Sequence, residues 1–396
     1  MKYLSTFLVL IFSSSLQAHE ANLATYLSNV TNTDILKSRL HLVNAQTLAQ
    51  ENKILSNGFS LGAQVAYAES KNTSEDALEY QVSLQKSFLL GSSDAYKNTL
   101  HLSSSIQKKL QTAQIQNYIY QSYIDTCFIK EQVSILEDEK LRNTKMTALI
   151  QVGVDGGEFD LSSLYRSQMS VDNLSLKILS LKNNYKQSLQ RLNLFSTKAT
   201  AIEPQCSDLP ADITPFADES FTKSPYSQAF HLQAKKQTAL KKYRDSLVDK
   251  ITVGLSYDDE MDVTRSSAYL QVPLTWGDKR TNTLEVAKQQ ELAAFSQQNY
   301  LQQELENTLA SYRLEQQNNA QKLAYINDKL ILKAYKTAQL MKERFQAGEA
   351  NYLEYINSQQ TLFDFILQTI HIRRDALQAQ AKLYTKLGIS PLKEQK

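Results

Sequence analysis

Very little in this chain interrupts a helix. Its 396 residues include only ten glycines and six prolines, and four of those prolines (Pro204, Pro210, Pro215 and Pro225) fall in one short window. Proline removes a backbone donor and glycine costs about 1 kcal/mol inside a helix, so the scarcity favours long uninterrupted helices and excludes collagen-like or low-complexity chains. Charge of one sign is also missing. With 43 basic against 41 acidic residues the formal net charge is +2, which argues against a nucleic-acid partner. Beyond the N-terminus no apolar run approaches the roughly 20 residues that a membrane-spanning helix needs. The five histidines (His19, His41, His101, His231, His371) are scattered without ligand spacing. No Ser-His-Asp grouping, phosphate loop or paired zinc motif accompanies them, so no metal site, no cofactor and no enzymatic activity are expected.

What is present begins at the N-terminus. Met1-Lys2, an apolar stretch from Tyr3 to Phe12, and Ser13 to Ala18 read as a secretory signal peptide over residues 1–18. The alternative is an uncleaved anchor. No cysteine follows the expected cleavage site, so a lipid-anchored N-terminus is not expected. The two cysteines, Cys127 and Cys206, form an even count in an oxidising compartment. A Cys127–Cys206 disulfide would pin the proline-rich window to a helix; two unrelated thiols are the alternative.

The chain repeats itself. Leu61, Ala63, Val65 and Tyr67 recur as Ile251, Val253, Leu255 and Tyr257, and Tyr80 to Leu84 recurs as Leu270 to Leu274, each at an offset of 190 residues. Gly157-Glu158 and Ser167-Gln168 recur as Gly348-Glu349 and Ser358-Gln359 at an offset of 191. Register held across strand-like and helix-like segments indicates a duplicated unit. The expected organisation is a first repeat over 19–203, a proline-rich joint over 204–225, a second repeat over 226–390 and a tail over 391–396.

Each repeat carries two stretches of strict alternation. Phe59, Leu61, Ala63, Val65 and Tyr67 share one face, and Leu78, Tyr80, Val82 and Leu84 another. Ile251, Val253, Leu255 and Tyr257, then Ala268, Leu270, Val272 and Leu274, repeat the pattern. Polar loops over 68–77 and 258–267 are expected to connect them. Period-two alternation over about 9 residues suits a transmembrane β-strand, apolar outward and polar inward. A small soluble sandwich is the alternative. Tyr67, Phe88, Tyr257 and Trp276 lie near strand ends, where a membrane belt of aromatics would sit. Four strands cannot close a barrel, and lipid leaves no partner for an open edge, so copies of the chain must join. Two copies would give eight strands and three would give twelve; the alternation does not choose.

The remainder reads as helix. From about 93 to 150 and from about 280 to 347 apolar residues recur in steps of three and four. At 1.5 Å per residue these helices would be roughly 87 and 102 Å long. Shorter helices over about 33–57, 159–195, 226–250 and 350–388 flank them. Stacked in pairs they would span about 93 to 96 Å, matching the long helix beside them. Ser224-Pro225 supplies a cap and a first-turn proline.

A hairpin between helices, twice per chain behind a signal peptide, resembles the TolC family of outer-membrane efflux proteins. The stretch from Arg344 through Gly348, Glu349 and Tyr352 to Phe363 is similar to the family's aromatic, turn glycine and following helix. Val272-Pro273-Leu274 with Trp276-Gly277-Asp278-Lys279-Arg280 resembles its strand-to-helix junction. The resemblance implies a mainly α fold with membrane β: long antiparallel helices plus four strands per chain in a shared, trimeric, twelve-stranded barrel. It implies a homotrimer in outer-membrane lipid that extends into the periplasm and conducts passively. Its implied partners are an inner-membrane pump and a periplasmic adaptor (a membrane fusion protein), in efflux or in type I secretion.

The resemblance also places a pore gate at Glu354 and Asn357, the second of which departs from the acidic pattern. Ala350 stands where some members have an arginine that helps closure. The turns with Gly153, Gly156, Gly157, Gly348 and Glu349 become the adaptor-docking tips. A reading from another class is a non-pore periplasmic coiled-coil scaffold or adaptor, which would account for the helices but not for two alternating hairpins.

Overall fold

The fold is built from two signals in the sequence, alternation in two hairpins and three-four spacing almost everywhere else. The computed structural model describes residues 20–55, 58–69, 76–195, 203–210, 223–246, 248, 250–260, 263–272 and 278–391. The expected signal peptide, Trp276, most of the proline-rich joint and the tail from 392 onward lie outside them.

In chain order the elements are β1 (Glu20–Ala21), α1 (Leu23–Asn29), a 3-10 turn (Val30–Asn32), α2 (Asp34–Ile54), β2 (Phe59–Glu69) and β3 (Asp76–Leu89). Then come α3 (Ser92–Asp155), α4 (Leu161–Asn193), β4 (Glu203–Pro204), a 3-10 turn (Cys206–Asp208) and α5 (Pro225–Asp245). The chain continues through β5 (Lys250–Asp259), β6 (Thr264–Gln271), α6 (Asp278–Tyr325), a π-helical turn (Ile326–Ile331), α7 (Leu332–Gln346) and α8 (Tyr352–Leu387). The fold is mostly helical with one small sheet. Two compact units are present, both discontinuous in sequence: Met1–Thr33, Tyr118–Ile213 and Asn319–Gln378 form the first, and Asp34–Asn117, Thr214–Asn318 and Ala379–Lys396 the second.

In the first unit the N-terminal segment is fixed firmly. β1 pairs in parallel with β4, Asn22 caps α1 through the Thr25 amide, and Asp208 accepts from the Leu23 amide at 3.0 Å. Leu23, Tyr26, Leu27 and Val30 are buried. Tyr26 meets Tyr123 edge to face at 5.8 Å, and burial raises the Tyr26 phenol above its ordinary pKa. Cys127 and Cys206 are joined as a disulfide with their Cα atoms 5.4 Å apart. Farther along α3, Leu136 packs with Leu174 and Ile178 of α4 and Phe363 of α8, each such side chain removing about 1.5–3 kcal/mol of apolar exposure.

The second unit holds the four-stranded antiparallel sheet, in the order β2-β3-β5-β6. Beside it Leu55, Tyr96, Leu240 and Tyr243 form one core, while Leu305, Leu309, Tyr312, Leu383, Tyr384 and Leu387 form another. Ion pairs hold its helices, including Lys97–Glu51 at 2.8 Å and Lys386–Glu304 at 2.8 Å. The hydrogen bond from Lys97 holds the Glu51 carboxyl below the usual carboxylate range. Ser224 caps α5 through the Ser227 amide at 3.2 Å, with Pro225 in the first turn.

Three expectations change. The connections read as 68–77 and 258–267 are shorter, because pairing continues through polar residues: Glu69 lies opposite Asp76, and Asp258 opposite Arg265. The alternation of apolar and polar residues ends before the ladder does. The helix read as starting near 33 is preceded by α1 and a 3-10 turn, too short to show a period. The second long helix is not continuous: a π-helical turn interrupts it at Ile326–Ile331.

Candidate functional site: an open sheet and two matching helix turns

In the second unit, register decides which side chains meet. Leu61, Leu84, Leu255 and Ala268 line up across the four strands, as do Ala63, Val82, Tyr257 and Ser266. The face they form is uncovered: Leu61 is 75% exposed, Phe59 68% and Leu270 67%. Tyr67, Phe88 and Tyr257 of the expected aromatic belt lie on this same face and are exposed. One departure from alternation appears here. Lys86 lies on the apolar face with its Nζ 4.7 Å from the Phe59 ring and 5.2 Å from that of Phe88, so an apolar stem and two aromatic faces accommodate the charge.

The opposite face is polar and internally hydrogen-bonded. Ser87 and Thr252 hydroxyls lie 2.9 Å apart, those of Ser256 and Ser267 2.7 Å apart, and Tyr269 donates to Gln85 at 2.9 Å. Among the described residues β2 and β6 each have a single neighbour, so both outer edges of the sheet are unpaired there.

In the first unit two helix-to-helix turns share one geometry. At the end of α3 the Glu158 amide donates to the Gly153 carbonyl (2.7 Å) and the Gly157 amide to Val154 (3.0 Å). At the end of α7 the Glu349 amide donates to Arg344 (2.8 Å) and the Gly348 amide to Phe345 (3.1 Å). Both are Schellman caps. Each needs a left-handed residue, and Gly157 and Gly348 have φ of +79° and +76°, which glycine alone adopts without penalty. The next helices are capped alike: Asp160 accepts from the Ser163 amide at 2.7 Å and Asn351 from the Glu354 amide at 2.9 Å. Those hydrogen bonds from Ser163 keep the Asp160 carboxyl low.

One aromatic cluster joins the two turns. Phe345 is stacked against Phe159 at 5.2 Å and against Tyr355 at 5.4 Å, and meets Tyr352 edge-on at 6.2 Å. Met146, Ile150 and Leu164 complete the packing. Burial raises the pKa of Tyr352 and Tyr355, keeping both phenols neutral. At Gly153 a Cβ would strike the Phe159 ring, and the Gly156 amide donates to the Val152 carbonyl at 3.0 Å. Gly153, Gly156, Gly157, Gly348 and Glu349 are therefore brought to one end of one unit.

Glu354 and Asn357 are both exposed, three residues apart and so on one side of α8. Ala350 is buried. The aromatic cluster was missed from sequence; its signal was the recurrence of Phe or Tyr within a few residues of each turn glycine. Among the described residues no three His, Cys, Asp or Glu side chains gather as a metal centre, and no helix is long and apolar enough to cross a membrane.

Residues 240–389 match the sequence model of the outer membrane efflux protein family. No curated protein sequence matches. Among solved structures, VceC of Vibrio cholerae superposes with a TM-score of 0.73 at 13% identity, over 93% of this chain and 96% of that one. The open state of the MtrE channel of Neisseria gonorrhoeae gives 0.67 at 14% identity, over 95% and 93%. The CmeC channel of Campylobacter jejuni gives 0.67 at 12%, over 92% and 84%. At such identities the superpositions establish the fold, and the family match to the second half supplies the relationship. The chain thus has the fold of these outer-membrane channels, and its segment 240–389 is similar to the outer membrane efflux protein family.

Proposed function

We propose that the chain is the outer-membrane exit duct of a tripartite efflux or type I secretion system. Three copies would join their sheets edge to edge into a twelve-stranded barrel. Their helices would continue it through the periplasm toward an adaptor and an inner-membrane pump, with energy supplied by the pump and no bond made or broken in the duct.

The observation that carries this reading is the sheet. Leaving a Leu, Val or Phe in water forfeits about 1.5–3 kcal/mol each, so ten such side chains on one face outweigh the roughly 5–15 kcal/mol by which a domain is stable. A polar opposite face and two unpaired edges fit the same solution: lipid outside, water inside, sister strands at both margins. The apolar face disfavours a soluble scaffold, which would have to hide it. In such a trimer Glu354 would supply a ring of three carboxylates that selects cations, while Asn357 adds hydrogen-bonding capacity but no charge. The turns around Gly157 and Gly348 are the docking tips for an adaptor's helical hairpin.

Detergent-extracted protein should migrate as a heat-modifiable, SDS-resistant trimer and conduct ions in a planar bilayer. A monomer that stays soluble without detergent and carries no current would remove the duct.

A further inference from the structure

The π-helical turn at Ile326–Ile331 has no counterpart among the described residues of the first half of the chain. An offset of 190 residues places it opposite Leu136–Leu141, which lies within the uninterrupted α3. Along that part of α3 the buried residues are Gln132, Leu136, Glu139, Asn143, Met146 and Ile150, in steps that alternate strictly between four and three. That is the seam of a helix packed lengthwise on its neighbours.

The second long helix begins with the same rhythm. Asn319, Leu323, Ile326 and Leu330 face inward, in steps of four, three and four. Continued without change, the pattern would bury Lys333, Thr337, Leu340 and Arg344. All four are exposed, and the inward positions are Ala334, Ala338, Met341 and Phe345, each one residue late. The slip occurs inside the π-helical turn. Independently, the sequence offset between the two halves changes from 190 at Leu274 to 191 at Gly348. One residue of α-helix turns the chain by about 100°. Without compensation one extra residue would bury two charged side chains and turn Phe345 away from Phe159 and Tyr355. A π-turn spends the extra residue locally and restores the phase.

We propose that Ile326–Ile331 absorbs a one-residue insertion in the second half of the chain, and that this turn is the register device that positions Phe345. Through Phe345 it orients the Gly348 turn and the start of α8. Its bearing on Glu354 rests on the duct reading; the register role does not.

Two deletions separate the idea from its alternatives. Removing Asn327, inside the turn, heals the helix to continuous α and leaves every later residue in phase. The variant should fold like the parent with a melting midpoint within about 3 °C, less than about 1–1.5 kcal/mol for a domain of this size. Removing Asp138 from α3, where no slack exists, should rotate Glu139 through Ile150 out of the seam and abolish cooperative folding. In the Asn327 deletion, a thiol introduced by Ala338→Cys should stay shielded from maleimide while Thr337→Cys reacts, as in the full chain. Equal damage from the two deletions, a harmless Asp138 deletion, or exchanged labelling at 337 and 338 would each overturn the proposal. None of these readouts measures conduction, so a non-conducting protein that passes them would sink the duct and leave the register device standing.

Discussion

Replacing Phe345 by alanine should loosen both helix turns at once. The ring is 5% exposed and lies between Phe159 and Tyr355, with Tyr352 at its edge. Truncating a buried Phe to Ala costs about 3–5 kcal/mol. Three aromatic contacts vanish together, each worth about 0.5–1.5 kcal/mol beyond burial, which puts the expectation at the upper end of that range. A domain of about 150–250 residues shifts by roughly 2–4 °C per kcal/mol, so a fall of about 10–20 °C is expected if the unit melts cooperatively. Circular dichroism of the detergent-solubilised protein measures the midpoint, and proteolysis at the Gly157 and Gly348 turns should accelerate in parallel. Lys342→Ala, three residues earlier and exposed, serves as the control and should stay within about 0.5 kcal/mol of the parent. Equal midpoints for the two variants, or faster cutting at only one turn, would refute the claim that one ring clamps both.

Further outcomes are expected elsewhere. Glu354→Ala should raise single-channel conductance and weaken block by divalent cations, since in the proposed trimer it would remove three like charges from one ring; unchanged currents would take Glu354 out of the gate. With Cys127 and Cys206 separated by 79 positions in sequence, opening the bridge by Cys206→Ser should cost up to about 4.5 kcal/mol by loop entropy, read by denaturant melts with and without reductant. Thiol labelling of both cysteines in denatured, non-reduced protein would show that no bridge exists. Gly348→Ala meets no neighbouring atom, so its cost should be the left-handed backbone alone, about 1–2 kcal/mol. Gly157→Ala should match it within error if the two caps are equivalent.

The parts of the fold that were legible in the sequence share one property: their side chains report their surroundings at a fixed period. The strands around Leu61 and Leu255 show it, because one face is apolar and the other is not. Helix ends were legible where chemistry is forced, at Gly157, Gly348 and Ser224-Pro225. The β1–β4 pair of two residues each could not be read, because it has no period. Lys86 among apolar neighbours could not be read either, since its two aromatic partners sit on different strands. The π-helical turn is a subtler case: its only trace in the sequence was an offset that grew by one, visible once the seam of α3 supplied a reference. Glu354 and Asn357 came from resemblance and not from pattern, because a lone exposed acid on a helix carries no signal of its own.

The interleaving of the two units has a consequence for biogenesis. The first unit takes residues up to Gln378 and the second takes Ala379 onward, so neither unit is complete before the last helix has been made. Leu23 and Tyr26 must wait for Asp208 and Tyr123, 185 and about 100 residues later, a topology of high contact order and slow folding. During that wait the alternating strands are ribbons without neighbours, the form of polypeptide most prone to aggregate. A chain stalled within α8 would leave both units unfinished at once.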